Sequence, residues 1–170
     1  MVEATMHQIL SVLVENHAGV LARVANLFAR RGFNIESLAV WTTQNPEISR
    51  ITVSVCADDE QTTQIVKQLH KLPIVLKVKR LEADAHFTRE LVFIKVTCDA
   101  QTRTSVMQIV DIFRGHIVDV SSSTATIEIS GNDDKIHALT ELLTPYGILE
   151  MVRTGLIAIE RGERILSLDS

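Results

Sequence analysis

Aromatic side chains are scarce: one Trp, one Tyr and five Phe, 4% of a 170-residue chain. With hydrophobic residues at 46%, the core is expected to be aliphatic. The shortage also bears on function. An RNA-binding module that stacks bases on its central strands needs aromatics there, and the strand-like runs "QILSVLVE" and "RITVSVCA" hold none. Positive charge is short as well: the net charge is −4, and no run of five or more basic residues occurs. Both facts exclude a chain built to neutralise nucleic-acid phosphates or a membrane surface.

Cysteine is limited to Cys56 and Cys98, each closing an apolar run. In a chain without a secretory signature they read as buried free thiols, with a disulfide as the alternative. There is no CxxC, and His7, His17, His70, His86, His116 and His137 fall at no metal-ligand spacing, so no metal is expected. The N-terminal "MVEATMHQILSVLVEN" has no basic segment before its apolar stretch, which Glu15 closes early. It is read as neither a signal peptide nor a membrane span, and the protein as cytoplasmic. GxxxxGK[ST] and GxGxxG are absent. Asp58, Asp59 and Glu60, like Asp133 and Asp134, stand where helices begin, which suits capping and the helix dipole better than acid–base catalysis. By itself the chain is read as non-catalytic.

What is present is one pattern twice. "HQILSVLVE" is a strand-length apolar run; Val20, Leu21, Val24, Leu27 and Phe28 then recur at helical spacing until Gly32. "NIESLAVW" and the half-buried alternation "SRITVSVCA" follow as strands, "DDEQTTQIVKQLHKL" as a helix stopped by Pro73, and "IVLKVKRLE" as a fourth strand. After the polar stretch "ADAHFTRE" the order restarts through "LVFIKVTC", "TRTSVMQIVDIFRG", "HIVDVSS", "TATIEIS", "GNDDKIHALTELLTPYG" and "ILEMVRTGLIAIE". The expected fold is α+β: two ferredoxin-like βαββαβ sandwiches at 1–82 and 91–170, joined by a linker at 83–90. Each would cover one sheet face with helices, leaving the other face and the edges for a partner. Homodimerisation is therefore expected.

Between the first strand and helix lies "ENHAGVL". A helix's first turn presents N–H groups without partners and the positive end of the dipole, a natural seat for an anion. Gly19 lets a ligand approach the backbone, and the Asn16 amide both donates and accepts. With no lysine or glycine-rich loop nearby, a small zwitterion suits the corner better than phosphate, its apolar tail against Val20 and Leu21.

"NHAGVLARVANLFARRGFNIESL" closely resembles the ACT domain of the small, regulatory subunit of acetolactate synthase, and "KQLHKLPIVLKV", "RELVFIKV", "IFRGHIVDV" and "EMVRTGLIAIERG" extend the likeness over nearly the whole chain. The resemblance implies a subunit that does not catalyse but binds and activates a large catalytic subunit. That partner would carry thiamine diphosphate, Mg and FAD. The small subunit would confer feedback inhibition by valine, or by leucine or isoleucine. The effector would lie between the ACT domains of a homodimer: Asn16, His17, Ala18, Gly19, Val20 and Leu21 from one protomer, Asn34 and Ile35 from the other. Trp41 stands where many relatives carry a small residue. A free-standing ACT-type amino-acid sensor is the alternative.

Overall fold

The computed structural model describes residues 6–169; the first five residues of the N-terminal stretch and Ser170 lie outside it. The chain forms two compact units. One runs to Phe87 and takes up the chain again from Leu156; the other is Thr88–Gly155. No α-helix among the described residues is long and apolar enough to cross a membrane.

The first unit contains β1 (Met6–Glu15), α1 (Val20–Arg30), β2 (Ile35–Thr42), β3 (Ile48–Ala57), α2 (Asp59–Leu69) and β4 (Val75–Arg80). Its sheet has the order β2-β3-β1-β4, with antiparallel pairs throughout. Leu10, Val12 and Val14 of β1 and Ile51, Val53 and Val55 of β3 share one face by the two-residue period of a strand. Against them pack Val20, Val24 and Phe28 of α1 and Ile65 and Leu69 of α2. Burying a side chain such as Phe28 contributes about 1.5–3 kcal/mol. α1 stops at Gly32, whose φ of 71° suits the left-handed position beyond the helix. Phe33 N–H then bonds Phe28 O and Gly32 N–H bonds Ala29 O, closing a Schellman motif. α2 starts with a capping box between Asp58 and Gln61.

The second unit repeats this with β5 (His86–Thr97), α3 (Arg103–Ile112), β6 (His116–Val120), β7 (Thr124–Gly131), α4 (Asp133–Leu143) and β8 (Ile148–Arg153), in sheet order β6-β7-β5-β8. The last strand is β9 (Ile157–Glu160). The duplication extends to hydrogen bonds. Arg80 donates to Gln8 and to Asp59 at the start of α2. Arg153 donates to Glu90 and to Asp133 at the start of α4. Leu10 faces Arg80 and Val92 faces Arg153, so Gln8 and Glu90 each lie two residues before the facing position.

Both βαββαβ units are as expected from the sequence, but four details differ. His86–Glu90, read as linker, already belong to β5. The stretch "ILEMVRTGLIAIE" is two strands, because Gly155 at φ 85° turns the chain between them. The segment from Leu156 onward belongs to the first unit, not to a domain at 91–170. Both cysteines are free, as read, but only Cys98 is buried; Cys56 lies near the end of β3 and is exposed.

The third of these differences explains a further one. β3 is buried on both faces: Thr52 and Ser54 are 4% exposed, and the adjacent Ser11 is fully buried. Residues 156–169 run across this polar face. Leu156 N–H donates to Ser37 Oγ of β2 at 2.7 Å. Arg50 of β3 donates to Ala158 O at 2.7 Å and to Ser11 Oγ at 3.0 Å. Lys79 of β4 pairs with Glu160 at 2.6 Å, and Lys77 donates to Ser167 O. A sheet face expected to await a partner is thus covered by the chain's own tail, leaving β2 as an edge strand.

Candidate functional site

The corner at Asn16 is built by long-range bonds. β1 ends at Glu15, and Asn16 N–H donates to Glu47 O at 2.8 Å. The Asn16 side-chain amide donates to Pro46 O at 2.7 Å and reaches Thr42 Oγ1 at 3.5 Å. Its donor end is therefore spent on the turn between β2 and β3, which leaves Oδ1 as the acceptor of this exposed side chain. Nothing local in the sequence of this turn shows that it anchors the corner.

Gly19 is the residue preceding α1, with φ 87° and ψ −11°. A Cβ there would meet nothing of this chain within 4 Å, so the backbone angle, not internal packing, calls for glycine. Two of the four α-helices among the described residues, α1 and α3, start without a side-chain oxygen on their first amides. Asp58 caps α2, Asn132 caps α4, and Asp99 accepts the Gln101 and Thr102 N–H groups ahead of α3. The first turn of α1 holds no acidic residue either, so its positive end is uncompensated.

His17 points outward. Its Nε2 lies 2.7 Å from Glu15 Oε2 and its Nδ1 3.2 Å from Ala18 O. Two acceptors favour the imidazolium: the Glu15 carboxylate, then the Ala18 carbonyl, raise the His17 pKa, and the field of Arg23 opposes them. Val20, read as a pocket wall, is 4% exposed and belongs to the core; Leu21 is 42% exposed and free to touch a ligand.

The structure brings residues 16–21 together but places Asn34 and Ile35 elsewhere in the same chain. Ile35 pairs with Val55, which pairs with Gln8. The corner follows Glu15, seven positions further along β1. At about 3.3 Å per residue the two groups lie roughly 23 Å apart along the sheet. One protomer cannot present them to one small molecule.

The fold and corner define the first unit as an ACT domain. Residues 10–77 match the family described as AHAS small subunit-like ACT domain, and residues 89–162 that described as small subunit of acetolactate synthase. The chain is 50% identical to the acetolactate synthase small subunit of Mycobacterium leprae over 91% of this chain and 92% of that one. It is 46% identical to that of Haemophilus influenzae over 94% and 98%. The crystal structure of the acetolactate synthase small subunit from Thermotoga maritima superimposes with a TM-score of 0.87 at 41% identity, covering 94% of this chain and 99% of that one. The chain belongs to the acetolactate synthase small-subunit family.

Proposed function

We propose that this chain binds and activates a thiamine-diphosphate-dependent acetolactate synthase catalytic subunit and makes it sensitive to valine held between two copies of the first unit. The cofactors thiamine diphosphate, Mg and FAD belong to that partner, and the complex works in the cytoplasm. The observation that carries this reading is the pairing of a bare helix N-terminus at Gly19 with a distant Asn34.

The effector's carboxylate would take the first-turn amides of α1 and its ammonium the Asn16 Oδ1. Its aliphatic tail would rest on Leu21 and on Ile35 of the second copy. An antiparallel meeting of two β2 edges sets the Ile35 end of one strand beside the Thr42 end of the other. Thr42 Oγ1 is 3.5 Å from the Asn16 amide, so the two-fold pairing would bring Asn34 to the opposite corner. Valine controls the enzyme to the extent that it binds the inhibited complex more tightly than the active one.

A complementation experiment tests this. Gly19→Asp and Asn34→Ala chains, each weak in valine binding by calorimetry, are mixed and re-equilibrated. Each mixed dimer then contains one corner with both defects and one with neither, so wild-type-like binding returns at one site. Absence of any recovery in dimers proven to be mixed removes the shared site. Failure of the chain to alter acetolactate production by its catalytic subunit removes the regulatory reading.

A further inference from the structure

Between Gly19 and Asn34 the chain carries Arg23, Arg30 and Arg31 and no acidic residue. These three arginines line a cavity of about 290 Å³ on the helical side of the first unit, with Leu27 and Leu72 at its base and Asn26 and Gln68 beside them. Leu27 and Leu72 also pack on the core, so the base is apolar and fixed. None of the three guanidiniums forms an ion pair among the described residues.

Some other arginines of this acidic protein are treated differently. Arg80 and Arg153 each have an acidic partner, and Arg50 is held by Ser11 and Ala158. A solvated helix face gains its stability from carboxylates three or four residues away, and α1 has none. Three unmatched cations round one depression repel each other and favour an anion. Because the arginines are exposed, a small anion here would stay largely wet, whereas small-molecule sites bury most of their ligand. A protein surface that covers the arginine stems and the two leucines suits the shape better. A second copy of this chain docking here would make a head-to-tail contact, which does not close with a two-fold β2 pairing and leads to open chains.

We propose that this groove receives an acidic segment of the catalytic subunit, whose carboxylates pair with Arg23, Arg30 and Arg31 and whose aliphatic side chain rests on Leu27 and Leu72. The inference rests on the regulatory reading above and names the surface through which it acts. It also supplies a route for control. Arg23 N–H bonds Gly19 O at 3.1 Å, so the helix gripped along its flank by the partner is the one whose first turn forms the corner.

The test compares wild-type chain with R30Q/R31Q in activating the cognate catalytic subunit, over a series of salt concentrations. Calorimetry with valine and sedimentation of the chain alone run in parallel. The variant is expected to need about tenfold more protein for half-maximal activation and to lose most of the salt dependence, with valine affinity and dimer mass unchanged. Equal half-saturation and salt response in the two chains overturns the groove while leaving the regulatory reading intact. Salt-sensitive polymers of the wild-type chain that R30Q/R31Q disperses, with activation unchanged, assign the groove to contacts between copies and overturn it also. A wild-type chain that never activates defeats both readings.

Discussion

The Arg50 guanidinium donates to the backbone carbonyl of Ala158, 2.7 Å away and 108 positions along the chain. Burial pushes the Arg50 pKa below its ordinary value, with Glu160 opposing, so the cation depends on its partners. Arg50→Met should remove the bonds to Ala158 and to the buried Ser11 at a cost of about 2 kcal/mol. The tail should then be cleaved faster by trypsin after Arg161 and Arg164. Urea unfolding and limited proteolysis measure the two effects, and an unchanged cleavage rate means that Arg50 does not hold the tail.

Gly19→Asp tests the corner with little danger to the fold. Asp is among the non-glycine residues better tolerated at positive φ, and the chain leaves room for a side chain at this position. A carboxylate fixed at the first turn of α1 would occupy the amides and repel a second one. Valine affinity should fall at least about tenfold, with activation of the catalytic subunit retained. Undiminished affinity by calorimetry contradicts the assignment.

His17 gives the corner a pH signature. Its folded pKa is raised, chiefly by the hydrogen bond to Glu15, so its stabilising contribution is complete below the unfolded value of about 6.5. The contribution is lost as pH rises through the folded midpoint. Proton NMR should find the His17 midpoint above that of a free histidine, and Glu15→Gln should bring it down. A midpoint unmoved by Glu15→Gln places the cause elsewhere.

The paired arginines of the two units should respond unequally to the same change. Arg153→Leu strands the carboxylate of Glu90, whose side chain is 2% exposed, and should cost about 3–5 kcal/mol. Arg80→Leu leaves the exposed carboxylate of Asp59 and, as the one buried group, the neutral amide of Gln8, 5% exposed, without their partner, and should cost about 1–3 kcal/mol. Urea midpoints at unchanged m-value measure the difference, and equal losses would show that the buried charge at Glu90 is not what sets the cost.

Local chemistry wrote much of this protein into its sequence. The apolar stripe Val20, Val24, Phe28 dictated α1, Gly32 its end and Asp58 with Gln61 the start of α2, because each acts over a few residues. The bare first turn at Gly19 was legible for the same reason. Not legible was that the Asn16 amide would be spent on Pro46, or that Val20 would sink into the core while Leu21 stayed outside.

Alternation along β3 showed which side chains share a face, and nothing in it told what would lie over Thr52 and Ser54. Only the folded chain decided that, by turning at Gly155 and laying residues 156–169 across β2, β3 and β4 through Ser37, Arg50 and Lys79. Register likewise decided that Asn34 stands roughly 23 Å from the corner. Periodicity is set by neighbours in sequence, whereas covering a polar face and spacing two ends of a sheet depend on contacts between residues far apart in the chain.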